Sequence, residues 1–110
     1  MALIIRDHPI QLTDEGFLKY QSDWNEQVAE ALARLNDIEL TPEHWQILLF
    51  IRDYYKTYEH LPNSRVFVKA LKKSLGEDIG NSRFLHRLFP QGPLKYACKL
   101  AGLPKPPTCL

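Results

Sequence analysis

Thr41-Pro42-Glu43-His44-Trp45-Gln46-Ile47-Leu48-Leu49-Phe50-Ile51-Arg52-Asp53-Tyr54-Tyr55-Lys56-Thr57-Tyr58 is the stretch on which the fold turns. Its first three residues are a helix start: a capping hydroxyl, a proline at the first helical position, and a carboxylate at the positive end of the dipole. The apolar side chains that follow, Trp45, Ile47, Leu48, Phe50, Ile51, Tyr54 and Tyr55, fall on nearly all sides of a helix. A helix without a wide polar stripe is predicted to be the buried centre of a small domain. The unbroken apolar run Ile47–Ile51 is far shorter than a membrane span requires.

Downstream, His60-Leu61-Pro62-Asn63 ends this helix, and Asn63 or Ser64 caps the next. That helix places Val66, Phe67, Ala70, Leu71 and Leu75 on a core stripe and projects Lys69, Lys72 and Lys73 outward, with Gly76 as its terminator. A short helix is predicted from Ser82 to Phe89, stopped by Pro90-Gln91-Gly92. Pro93 opens a last helix that runs to about Ala101 and stops at Gly102. The helices from Ser64 and Ser82 form a helix-turn-helix-like element carrying Lys69, Lys72, Lys73, Arg83 and Arg87. Beyond Gly102, Leu103-Pro104-Lys105-Pro106-Pro107-Thr108-Cys109-Leu110 has too much proline for helix or central strand. It reads as a mobile, largely extended arm, in which seven steps at roughly 3.1 Å each carry Cys109 on the order of 20 Å from Gly102.

Upstream of Thr41 the period changes. Leu3-Ile4-Ile5 and Ile10-Gln11-Leu12 read as two short strands around the tight connection at Arg6-Asp7-His8-Pro9. Asp14-Glu15-Gly16 is a second turn, and Phe17-Leu18 is expected to start a third strand, giving a hairpin or small β-meander. Asp23 or Ser22 is expected to cap a helix with Val28, Ala31, Leu32 and Leu35 at helical spacing. The fold class is α+β and mostly helical: a small N-terminal β-element packed on about five helices. Residues 1–102 form one globular domain and residues 103–110 the arm.

The 110 residues suffice for one core and not two. With 45% hydrophobic and 25% charged residues the composition is that of a globular domain rather than a disordered tail. Met1-Ala2-Leu3-Ile4-Ile5 meets Arg6-Asp7 before a signal-peptide core can form, so the expected location is the cytoplasm, with no membrane association. The net charge of +1 hides an asymmetry. Residues 1–60 carry five Lys/Arg against eleven Asp/Glu, and residues 61–110 carry nine against two. Either one face meets an anionic partner, or the halves neutralise each other across the fold.

The chain has two cysteines, Cys98 and Cys109. Cys98 lies beside an apolar stripe of Leu94, Ala97 and Ala101, where a small buried hydrophobe and a working thiol are both consistent with the pattern. Cys109, penultimate on a proline-rich arm, reads as an exposed nucleophile, and prenylation would need it fourth from the end. The ten residues between the cysteines can close a loop, so a transient disulfide between them is available. His8, His44, His60 and His86 have no ligand spacing, so no metal site is expected. No phosphate-cradling glycine loop or dinucleotide fingerprint occurs, and Trp24 and Trp45 are read as core aromatics.

Three motifs lift this reading: Gly80-Asn81-Ser82-Arg83-Phe84-Leu85, Leu88-Phe89-Pro90-Gln91-Gly92-Pro93, and Ala101-Gly102-Leu103-Pro104-Lys105-Pro106 ending at Cys109-Leu110. With Trp24, Thr41-Pro42-Glu43-His44-Trp45 and Arg52-Asp53, they make a chain that resembles the DsrC/TusE family of sulfur-relay proteins over nearly its whole length. The resemblance implies a β-element on an array of helices with a mobile C-terminal arm. It implies that Cys109 takes up sulfane sulfur as a persulfide and passes it on, a persulfide sulfurtransferase activity with no resident cofactor. DsrC-like members work with dissimilatory sulfite reductase and use a second cysteine eleven residues before the penultimate one, here Cys98. TusE-like members generally lack that cysteine and hand sulfur from a donor complex of TusBCD or DsrEFH type to a tRNA-thiolating enzyme. Asn81-Ser82-Arg83 and Arg87-Leu88-Phe89-Pro90 look TusE-like, so both branches stay open, with Cys98 favouring the DsrC type.

Chemically, Cys98 turns a carrier into a redox-coupled one. Its thiolate attacks the inner sulfur of a Cys109 persulfide, releasing sulfide and leaving a disulfide, or the pair holds the sulfur as a trisulfide. Lys105, Arg83 and Arg87 are candidate docking residues for the partner. Two other functions compete: a nucleic-acid-binding helix-turn-helix module using the basic half, and a docking subunit in which the thiol is incidental.

Overall fold

The structure is a computed structural model that describes residues 2–5 and 7–107. Three asparagines begin three of its helices by the same local chemistry. Asn25 Oδ1 accepts from Val28 N at 2.9 Å and opens α1 (Glu26–Leu35); Asn63 Oδ1 accepts from Val66 N at 2.9 Å and opens α3 (Ser64–Leu75). Asn81 Oδ1 accepts from Phe84 N at 2.8 Å and opens α4 (Ser82–Leu88). Each side chain takes up one of the donors that a helix start leaves unpaired. The start of α1 is thus later than expected: Gln21–Asp23 is one turn of 3-10 helix, and Asn25 rather than Asp23 or Ser22 is the cap.

The helix α2 (Pro42–Tyr58) has the predicted bounds, with a capping box in which His44 occupies the usual place of a Glu or Gln. Thr41 N donates to His44 Nδ1 at 3.0 Å, so the proton of this buried ring sits on Nε2 and is donated to the Leu88 carbonyl at 2.9 Å. His44 therefore ties the start of α2 to the end of α4, edge-on to Phe89. In packing, α2 departs from expectation. Ile47, Leu48 and Ile51 are buried, whereas Leu49 is 54% exposed and Tyr58 57%. The apolar run does not give a helix buried on all sides.

That place belongs to α5 (Pro93–Leu100), which packs against α1, α2, α3 and α4 and buries Leu94, Ala97, Cys98, Lys99 and Leu100. The core continues through Val28, Leu32, Phe67, Leu71, Leu85 and Phe89. Full burial of each such side chain contributes roughly 1.5–3 kcal/mol before entropy is counted. Two residues assigned to core stripes face out instead, Leu35 on α1 and Val66 on α3. Gly80 lies against the backbone of α3, where a Cβ would come within 2.2 Å of Lys72 N. This contact fixes the turn before α4.

At the N-terminus, β1 (Ala2–Ile5) and β2 (His8–Gln11) form an antiparallel hairpin in which Leu3 faces Ile10 and Ile5 faces His8. Pro9 is tolerated because a two-stranded sheet has only edges. The third strand is not formed. Phe17 and Leu18 are buried, yet only an isolated bridge joins Leu18 to Leu12, because the chain turns at Tyr20 into the 3-10 segment. The β-element is a hairpin rather than a meander, and the α+β class, mostly helical, stands. Among the described residues no helix is long and apolar enough to cross a membrane.

Candidate functional site

Cys98 sits in the last turn of α5, and the backbone around it is completely accounted for. Gly102, at φ +74°, ends the helix in a Schellman arrangement: Leu103 N donates to the Cys98 carbonyl at 3.0 Å and Gly102 N to that of Lys99 at 3.3 Å. This leaves the carbonyls of Leu100 and Ala101 without a local donor. Side chains from far along the chain supply both. Trp24 Nε1 donates to the Leu100 carbonyl at 2.9 Å, and Arg52 Nη1 to that of Ala101 at 2.7 Å. The guanidinium lies over the Trp24 ring, 3.9 Å from its centroid, in cation–π geometry. Its charge also faces the negative end of the α5 dipole. Gly102 is required twice over, since a Cβ there would come within 2.4 Å of the Trp24 ring.

The thiol of Cys98 is fully buried and unpaired with another cysteine, and burial pushes its pKa up to about 12. At neutral pH only on the order of one molecule in 10⁵ carries the thiolate, the form that reacts. Both sequence readings of Cys98 thus meet at one residue. In this arrangement it is a small core hydrophobe, and its use as a nucleophile requires exposure.

The root of the arm does not project from the body. Leu103 and Pro106 are buried, and Lys105 Nζ pairs with Glu15 Oε2 at 2.8 Å. Glu15 is held out by a closed loop in which Thr13 N donates to the Phe17 carbonyl at 2.7 Å and Gly16 N to that of Thr13 at 2.9 Å. The hydrogen bond from Lys105 lowers the Glu15 pKa. Beside this latch, Lys99 has its ammonium 4.7 Å from the Tyr96 ring centroid and 5.4 Å from that of Phe17. Its pKa is lowered by burial and by Lys95, against an opposing pull from Glu15. Two open cavities flank the arm root, one of about 380 Å³ between Thr13, Phe17 and Lys105, the other of about 530 Å³ between Arg52, Lys56 and Leu103. Thr108, Cys109 and Leu110 lie outside the described residues, and with them the principal candidate thiol.

Of the candidate docking residues, Arg83 and Arg87 are exposed on α4, while Lys105 is engaged by Glu15. The helices of the helix-turn-helix-like element are present, joined by residues 76–81, with Lys72 paired to Glu77 at 3.1 Å. Among the described residues no cluster of three or more His, Cys, Asp or Glu side chains is placed to hold a metal.

Sequence reasoning placed Trp24 in the core and gave Arg52, Glu15 and Lys99 no role. One signal was available for Arg52, a lone cation inside the apolar run from Ile47 to Tyr55. The family resemblance singles out Trp24 as a residue, but not its partner, which lies 76 residues away.

The described residues make a small α+β domain whose last helix buries one thiol and whose proline-rich segment 103–106 is strapped against the body beside it. Residues 4–110 match the family described as DsrC like protein, and the chain belongs to that family. It is 50% identical over 101 residues to the sulfurtransferase TusE homolog of Haemophilus influenzae, covering 92% of this chain and 93% of that protein. It is 46% identical over 108 residues to sulfurtransferase TusE of Escherichia coli, covering 98% of this chain and 99% of that one. Among solved structures, DsrC of Allochromatium vinosum superposes with a TM-score of 0.90 at 44% identity over the whole of both chains. The oxidized DsrC, the gamma-subunit of dissimilatory sulfite reductase from Archaeoglobus fulgidus, gives 0.85 at 43%, again over the whole of both.

Proposed function

We propose that this protein is a sulfur-relay carrier whose working thiol is Cys109, with Cys98 as the resolving thiol. The observation that carries the reading is the match to the DsrC-like family through residue 110, which includes the tail Gly102-Leu103-Pro104-Lys105-Pro106 and the penultimate cysteine. In the loading step the Cys109 thiolate attacks the outer sulfur of a donor persulfide. The donor S–S bond breaks, the donor's own sulfur leaves as a thiolate, and Cys109 holds the transferred sulfur as a persulfide. No resident cofactor is needed.

In the unloading step an acceptor takes the outer sulfur, or Cys98 attacks the inner one. The second route expels sulfide, reduces the sulfane sulfur and oxidises the two thiols to a disulfide. Cys98 supports a DsrC-type carrier that delivers to a dissimilatory sulfite reductase. The TusE naming of relatives at 46–50% identity supports a second reading, delivery from a donor complex of TusBCD or DsrEFH type to a tRNA-thiolating enzyme. Both place the chain in the cytoplasm, where thiols stay reduced.

The test is an intact-protein mass spectrum after exposure of the reduced protein to a persulfide donor. Whole sulfur atoms are gained by the wild type and by Cys98→Ser, and not by Cys109→Ser. A loss of two hydrogens that needs both thiols marks the redox branch. Loading that survives Cys109→Ser overturns the carrier assignment. No adduct from several donors leaves the chain as a docking subunit.

A further inference from the structure

The structure assigns to Trp24 and Arg52 a positioning role: together they clamp the C-terminal turn of α5, the turn that contains the buried Cys98, and Cys98 becomes a resolving thiol only when that clamp lets the turn open. The inference rests on the reading of Cys98 as the residue that attacks a Cys109 persulfide, and adds what controls it.

Cys98 has no exposed surface, and its carbonyl is bound by Leu103 N, the first residue of the arm. A disulfide needs the two Cα atoms within about 7 Å and both sulfurs accessible to each other. Cys98 belongs to the last turn of α5, whose end is the root of the arm, so this is the turn that has to move when the arm delivers Cys109 to it. Its closure depends on donors outside the helix. Removing the Trp24 indole N–H or the Arg52 guanidinium leaves the Leu100 or the Ala101 carbonyl, both on buried residues, without its donor. The two side chains also hold each other, through the guanidinium stacked on the indole. Arg52 stands on α2 and Trp24 before α1, so the clamp joins the arm root to two elements that need not move with it. A partner that draws the guanidinium off its carbonyl, for example with a carboxylate presented at the cavity beside Arg52 and Lys56, would open the turn from outside.

The experiment measures alkylation of Cys98 by iodoacetamide in the full chain carrying Cys109→Ser, so that a single thiol reports. Against that background Trp24→Phe, which keeps the ring and loses the donor, and Arg52→Met, which keeps the stem and loses both donor and charge, are each expected to speed labelling. The rise is on the order of ten-fold or more, as for a lost hydrogen bond to a buried acceptor. Arg52→Lys, which keeps a cationic donor, returns the rate toward that of the parent. Labelling through the clamp depends only weakly on urea, because a local opening exposes little surface, whereas labelling through global unfolding carries the full denaturant slope. Unchanged rates in both clamp variants overturn the proposal. So do raised rates that carry the full global slope, which would make the two residues ordinary stabilising contacts. Should Trp24→Phe loosen the whole fold, the Arg52→Met and Arg52→Lys pair decides alone. No sulfur donor enters the measurement, so failure of the carrier reading, seen as absent loading on Cys109, is separate from failure of the clamp.

Discussion

α2 and α5 both begin with a proline, and they hold the fold in opposite ways. α2 runs for 17 residues, carries the apolar run and caps itself, with Thr41 and His44 closing its start locally. Yet it leaves Leu49 and Tyr58 in solvent. α5 has 8 residues and no side-chain cap, and the last two carbonyls at its end depend on Trp24 and Arg52. It is nevertheless buried along most of its length and touches every other α-helix. A helix that caps its own start is specified by residues close in sequence, and it can leave one face in solvent. One that borrows its donors is ordered only when the rest of the chain is in place, so its end can be loosened from outside by taking those donors away.

Three measurements put this contrast at risk. The largest effect is expected at the end of α5. Gly102→Val meets both the positive φ and the Trp24 ring, and should cost on the order of 4 kcal/mol or more in urea unfolding. Gly76→Ala, at a φ of +91° with nothing near its Cβ, should cost about 1 kcal/mol. Equal losses at the two glycines would mean that the Trp24 contact adds nothing to the closure of α5.

Next in size is a pair of leucines. Leu100→Ala on α5 should lose about 3 kcal/mol, as for a fully buried leucine, while Leu49→Ala on α2 should stay within about 0.5 kcal/mol. The reverse order would restore α2 as the centre.

The third effect is a pH dependence, smallest of the three over the first pH unit above 9. The folded Cys98 has its pKa raised from an ordinary 9.0 to about 12. The unfolded state therefore gives up this proton first, and the stabilising contribution, complete below pH 9, is lost as pH rises toward 12. Wild type should lose about 1.4 kcal/mol per pH unit above 9 relative to Cys98→Val, read from unfolding curves of the two proteins at matched pH. Parallel curves would mean that the thiol is already open to solvent in the native state.

The tail motif and its two cysteines make the family legible in the amino-acid sequence, because a penultimate cysteine after Gly102-Leu103-Pro104-Lys105-Pro106 is a pattern of residues rather than of contacts. Helix bounds are equally legible where their signals are local. Thr41, Asn63 and Asn81 each accept from a backbone N–H three residues on, and Pro42 and Pro93 fix their own φ at a helix start, so α2 through α5 begin where expected. The third strand at Phe17-Leu18 fails because pairing stops at the Leu12–Leu18 bridge, where the chain turns at Tyr20, and how far a pairing extends is decided by the course of the chain in space. The same reason hides the clamp. Trp24, Arg52 and the carbonyls of Leu100 and Ala101 are distant in sequence and meet only because α2 and the segment before α1 both pack beside the end of α5.

The two thiols, the proline-rich segment between them and the ends of most helices are thus properties of neighbouring residues, and the chain's own order of side chains is enough to specify them. Three features are not of that kind: Cys98 is sealed in the core, the arm root lies against the body, and α5 rather than α2 is the hub. Each follows from three-dimensional packing, since burial and the pairing of orphan carbonyls depend on which surfaces meet, and distance along the chain does not encode that.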